Sequence, residues 1–247
     1  MPTRNVPDPL TALAGLPGIA AATAEARGAV DRLLAHRVLR RGSAAVSAES
    51  ALRGARASAA LEGTDVTLDV IRAGGGGPVV RGALRASAEI GPLSDTWSLA
   101  PAQVLARLHM LAARDLVPPE LLGRPATGRE VVVRLQSLGE LLTGRTTPPA
   151  LVVAAVVHGE LLTLAPFAAA NGVVARAAAR LTLVTRGLDP KAVSVPEVGH
   201  AELAGQYVAA AQGYASGDVG GWIRHCCAAV VLGAREGLAV CEAVLRG

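Results

Sequence analysis

A chain of 247 residues can bury a full core, and because 51% of it is apolar but only 2% aromatic, that core has to be built from Ala, Leu and Val. These residues favour helices, and the β-branched and aromatic residues that strands prefer are confined to a few places, so an all-α fold follows. A net charge of +4 is too small for this length to indicate a nucleic-acid partner. Its densest basic run, His36 to Arg41, has no interleaved aromatic for base stacking and reads as a solvated helix end. Cys226, Cys227 and Cys241 make neither a disulfide framework nor a zinc spacing, which fits a reducing compartment and predicts no metal site. No apolar run reaches the roughly 18 residues of a membrane span; the closest, Ala150 to Val157, stops at His158-Gly159-Glu160. A cytoplasmic protein is expected.

In chain order, Pro2, Pro7, Pro9 and Pro17 predict an extended arm over residues 1–18. Val30, Leu33, Leu34 and Val38 recur at helical spacing, predicting an amphipathic helix from Ile19 to Arg41 that stops at Gly42-Ser43. Ser47 is the cap candidate for a second helix reaching Leu61, and Gly63 supplies the left-handed residue at which helices commonly end. Gly74 to Gly77 reads as a hinge, and a helix from Arg81 to Ile90 precedes Gly91-Pro92. Pro101 opens the next helix, with Val104, Leu108 and Leu111 on its core face and His109 as a packed histidine.

Arg129 to Leu142 carries a helical stripe of Val131, Val132, Leu135, Leu138, Leu141 and Leu142, although Glu130 to Val133 also reads as a short strand. Pro148-Pro149 starts a strongly apolar helix to Leu164, a loop follows at 165–172, and a helix from Val173 to Arg186 ends at Gly187. Pro196 begins a charged helix that reaches Tyr214, and a last helix runs from Gly221 to Leu245.

Two segments carry chemistry. Residues 164–176 read Leu-Ala-Pro-Phe-Ala-Ala-Ala-Asn-Gly-Val-Val-Ala-Arg, which resembles the active-site loop of Fic-family proteins, His-Pro-Phe-x-Asp/Glu-Gly-Asn-Gly-Arg-x-x-Arg. Pro166, Phe167, Asn171, Gly172 and Arg176 match in register, and Phe167 is the only Phe of the chain. Ala165 stands for the histidine, Ala169 for the acid, Ala170 for the first glycine and Val173 for the first arginine. Upstream, Ser58-Ala59-Ala60-Leu61-Glu62-Gly63 is similar to the Ser/Thr-x-x-x-Glu-Gly/Asn segment of the self-inhibitory helix that some of these proteins carry. The resemblance implies a Fic-like helical core over 96–247 and an N-terminal helical region over 19–95. It also implies a pairing of Glu62 with Arg176 that blocks the nucleotide's terminal phosphate.

In a working site of that type the histidine takes a proton from a hydroxyl of a target protein. The acid holds magnesium against the nucleotide phosphates, and the two arginines cradle them. Ala165 has no ionisable group, and loss of a general base costs about 10²–10⁴-fold in rate. Ala169 offers magnesium no oxygen, so protein ligation of that ion is not expected. Val173 removes a charge-assisted phosphate contact worth roughly 1.5–3 kcal/mol. Asn171, Gly172 and Arg176 keep the means to bind an anion or the phosphates of ATP, because a helix N-terminus offers free N–H groups. Equally, Asn171 could simply cap that helix and Arg176 serve as an ion-pair partner. His158, two turns before Ala165, is the nearest candidate for a substitute base.

The resulting reading is a catalytically degenerate Fic-fold protein that binds or regulates, with a protein partner and ATP as the candidate nucleotide. No catalytic residue is assigned. Ser58, Glu62 and Gly63 form the inhibitory segment. A second reading is an active transferase, moving AMP or another phosphate-containing group to a protein hydroxyl through a non-standard base. A third is a helical interaction module that dimerises through its Ala, Leu and Val surfaces.

Overall fold

The structure, a computed structural model, describes residue 8, residues 10–144 and residues 146–246. Among these residues there is no strand. The helices are α1 (Thr11–Ala14), α2 (Ile19–Leu34), α3 (Ser43–Leu61), α4 (Leu68–Arg72), α5 (Gly77–Ala88), α6 (Ile90–Trp97) and α7 (Pro101–Ala113). There follow α8 (Arg129–Thr143), α9 (Ala150–Leu164), α10 (Asn171–Thr185), α11 (Pro196–Glu202), α12 (Ala204–Ala215) and α13 (Val219–Arg246). No helix among the described residues is long and apolar enough to cross a membrane.

The centre is α9. A helix apolar all round has no face to give to water and has to be enclosed. Every residue from Leu151 to Gly159 is buried. Leu151, Val152, Ala154 and Ala155 face one half of the core, with α2, α12 and α13. Val153, Val156, Val157 and Leu161 face the other half, with α5, α6, α7 and α10. The apolar stripe of α2, Ile19, Ala26, Val30 and Leu33, lies along α13. α3 packs on α5 and α11, and α5 on α7, so the helices of 19–95 interleave with those that follow. The border expected at 95 and 96 falls inside α6.

Several local expectations change. Of the arm expected over 1–18, residues 1–7 and 9 lie outside the described residues; beyond them Leu10 is buried and α1 forms a single helical turn. The first long helix stops at Leu34, and Arg37–Arg40 form a 3₁₀ turn that buries Leu39 and is capped by the His36 ring accepting Val38 N–H. α3 begins at Ser43, four residues before the cap expected at Ser47, and has no side-chain cap. Gly91-Pro92 does not interrupt the chain of helices, because Pro92 sits in the first turn of α6, where its missing N–H has no intrahelical partner to lose.

On α8, Glu130 to Val133 are helical, which removes the strand alternative. Only Leu138 of the expected stripe is buried, while Val132 and Val133 are 51% and 52% exposed. The charged segment after Pro196 divides at Leu203 into α11 and α12.

α11 approaches α13 so closely that a Cβ on Gly199 would fall on the Ala229 backbone. Gly199→Ala therefore forces two helices apart and is expected to lower the unfolding free energy by about 1–3 kcal/mol. Gly205→Ala on the exposed face of α12, where a Cβ meets nothing, should leave stability unchanged or slightly raised. Urea unfolding of both variants checks this; equal midpoints would show that the approach is not constrained.

Candidate functional site

The connection between α9 and α10 is short and braced. Phe167 is buried and stacks on the His109 ring of α7, with centroids 4.2 Å apart and planes within 8°. His109 Nδ1 accepts Gly123 N–H at 2.9 Å, and Ala126 N–H donates to Pro166 O at 2.8 Å, tying the loop to the segment before α8. Asn171 is the first residue of α10, not its cap. Its Oδ1 accepts Phe167 N–H at 2.9 Å and its Nδ2 donates to Phe167 O at 2.8 Å, so one amide closes a ring on the loop backbone. Pro166, Phe167 and Asn171 thus hold the shape of the loop.

Two alanines in it lie in the left-handed region, Ala165 at φ 44° and Ala170 at φ 57°. That region costs an L-residue with a Cβ about 1–2 kcal/mol. Ala170 stands where the resembling pattern has glycine, the residue for which this conformation is free.

Arg176, in the second turn of α10, is 3% exposed. Its Nη2 donates to Glu62 Oε1 at 2.7 Å and to Ser58 O at 3.0 Å, its Nε to Ser58 Oγ at 2.9 Å, and its Nη1 to Tyr207 OH at 3.2 Å. Glu62 is the C-cap of α3, directly after Leu61, and Gly63 at φ 83° turns the chain away from the helix. The end of the rod thereby delivers a carboxylate across the first turn of α10. Gly172 leaves the room for it: a Cβ there would collide with Glu62 Oε1. Ser58, Glu62, Gly172 and Arg176 are accordingly one constellation, contributed by residues more than 100 positions apart. Asn171 belongs to the loop brace beside it.

The positions that would carry chemistry are filled with inert groups. Ala165 is exposed and bears a methyl; Ala169 has no oxygen for a cation; Val173 is 4% exposed and turned into the core. The phosphate cradle that the fold could offer, the first-turn amides of α10 and Arg176, is taken by Glu62. With Glu62 in this position the Arg176 guanidinium is paired, and positions 165, 169 and 173 carry only alkyl side chains.

His158, the candidate for a substitute base, lies inside the core. It is 1% exposed beneath α10, with Nε2 on Tyr207 OH at 2.9 Å, and does not open onto the loop. Burial, and then the Arg176 charge, push its imidazole well below the usual histidine range. His200 and His225, which nothing local singles out, are brought together with Nδ1 and Nε2 3.0 Å apart. Tyr207 joins that group and links it to Arg176. A sequence signal existed in hindsight: Trp222, His225 and Cys226 share one face of α13 by their i, i+3, i+4 spacing, and His200 and Tyr207 are seven apart on adjoining helices.

Comparison of the sequence with protein-family models and with curated proteins finds no match. Among solved structures, a Fic family protein from Desulfovibrio desulfuricans G20 superposes with a TM-score of 0.74 at 22% identity, covering 91% of this chain and 75% of that one. Fic-1 from C. elegans superposes with a TM-score of 0.68 at 18% identity, covering 89% of this chain and 70% of that one. At these identities the likeness establishes the fold: the chain has the all-α Fic fold.

Removing the Glu62 carboxylate leaves a buried guanidinium with neutral partners only. Glu62→Ala is expected to cost about 2 kcal/mol, below the ~3–5 kcal/mol of a fully buried pair because the Glu62 side chain is 28% exposed. Glu130→Ala on the surface of α8 should change stability by no more than about 0.5 kcal/mol. Coincident thermal melts of the two variants would show that no latch exists.

His109 gives a pH dependence. Burial pushes its imidazole below the ordinary value of 6.5, the Ala169 backbone only partly opposing it. Below that pH the unfolded chain takes up a proton that the folded chain refuses. Its contribution is therefore complete above pH 6.5 and lost as pH falls, by up to about 1.4 kcal/mol per pH unit. His109→Gln should flatten the stability profile between about pH 7.5 and about pH 5.5; parallel profiles for the two proteins would assign the acid sensitivity elsewhere.

Proposed function

We propose that this protein is a Fic-fold pseudoenzyme, devoid of AMP transfer, that acts by binding. The observation that carries the reading is the Glu62 carboxylate seated against Gly172 and paired with Arg176, in a site whose remaining chemical positions are Ala165, Ala169 and Val173. The seat keeps the fold's anion pocket shut, and nothing behind it could activate a hydroxyl. Nucleotide binding is latent in this reading: the first-turn amides of α10 and the Arg176 fork become available only when Glu62 leaves.

The ordinary partner in this reading is a protein. Val132 and Val133 expose apolar surface on α8, just beyond the Gly123–Ala126 segment that is bonded to the loop and to His109. Exposed valines of this kind favour contact with another polypeptide over contact with a phosphate backbone.

The test is calorimetric titration with ATP and magnesium of the native chain and of Glu62→Gly, with circular dichroism to establish that the variant is folded. Heat is expected only from the variant, and radiolabelled ATP should transfer AMP to protein with neither. Transfer by the variant would overturn the degenerate reading in favour of an active transferase. Heat silence in both would remove the latent nucleotide site and leave protein binding alone.

A further inference from the structure

We propose that His158, His200 and Cys226 bind a single thiophilic d¹⁰ cation, Zn²⁺ or Cu⁺, where α9, α11 and α13 meet. This site is separate from the loop and does not rest on the reading given above for it. The three residues are buried, one on each helix, and one donor atom from each lies within 4.8 Å of the others. Metal–nitrogen bonds of about 2.0–2.1 Å and metal–sulfur bonds of about 2.3 Å put such donors roughly 3.3–3.7 Å apart around one ion. Closing the site therefore asks for side-chain shifts of about 1 Å, with no rearrangement of helices.

There is room between them. A cavity of about 30 Å³ is lined by His158, His200 and Cys226 and by Arg176. A single water needs roughly 10–15 Å³ on the same measure, so an ion and one further small ligand can be housed.

The surroundings have the form of an outer shell. His158 Nε2 is on Tyr207 OH and His200 Nδ1 is on His225 Nε2, contacts that fix the orientation of both rings as outer-shell partners of a metal site do. His225 Nδ1 is buried without a hydrogen-bond partner, a sign that this polar cluster is not complete with protein atoms alone.

Charge selects the class of ion. A soft thiolate with two borderline imidazoles prefers Zn²⁺ or Cu⁺ to oxygen-seeking cations. Arg176 and Arg180 face the same cavity, but each is paired with a carboxylate, Glu62 and Glu197. The thiolate therefore neutralises Cu⁺ fully and leaves Zn²⁺ with one residual charge, which ranks Cu⁺ as the tighter ligand in a buried site. On binding, the Cys226 S–H bond is exchanged for a sulfur–metal bond and the proton goes to solvent.

The full chain, stripped with chelator and kept reduced, would be titrated with Zn²⁺ against a chromogenic chelator. In a separate anaerobic arm it would be titrated with Cu⁺ against a Cu⁺-specific one. One ion per chain is expected in at least one arm, retained by Cys227→Ala and weakened at least about tenfold in Cys226→Ala. Because Cys226→Ala could fail to fold, His200→Gln is run beside it, and the native chain is loaded with Co²⁺ to look for a thiolate-to-metal charge-transfer band. No stoichiometric uptake in either arm overturns the site. So does uptake unchanged in the ligand variants, or a Co²⁺ complex without thiolate absorption.

Discussion

A guanidinium buried inside a helical core is the constraint around which the rest is arranged. Arg176 cannot stay in that position without its donors filled, since an unpaired buried charge costs several kcal/mol. Its partners come from two sides: Ser58 and the C-cap Glu62 at the end of α3, and Tyr207 on α12. α3 is thereby fixed against α10 in both distance and register.

A second grip lies one turn along. Arg180, four residues after Arg176, pairs with Glu197 of α11 at 3.6 Å and lies against Gly54, four residues before Ser58. The two arginines of α10 face two small residues of α3 in antiparallel order, and Gly54 has no side chain because the Arg180–Glu197 pair occupies its space. Parts of that pair, Arg180 Nε and Nη1 and Glu197 Oε2, have no hydrogen-bond partner. Such burial stabilises little by itself and acts mainly to specify which helix faces which.

The loop owes its shape to a few packed residues. Phe167, His109 and Asn171 still brace it by stacking and by paired amide bonds. Ala170 keeps a left-handed backbone that glycine would adopt without cost. Packing fixes those residues, since replacing any of them would disturb neighbours. Ala165 is exposed and Ala169 only partly buried, so packing asks little of their side chains.

Composition and periodicity by themselves determined the helical class, the enclosed helix from Ala150 to Leu164, and the turn after it. A helix apolar on every side has one place to go, Gly63 ends a helix through local sterics, and Pro148-Pro149 sets where the next one begins. The motif residues Ser58, Glu62, Gly172 and Arg176 were readable because two short patterns carry them. Helix ends at Leu34 and Leu203 were not, because contacts from distant residues set where those helices stop. The half-bare face of α8 was hidden for the same reason: valines at helical spacing look alike whether or not another helix covers them. Most of all, only the tertiary structure could gather His158, His200, His225, Tyr207 and Cys226. They come from α9, α11, α12 and α13; the helical spacing that puts His225 and Cys226 on one face of α13 does not say which helices that face will meet.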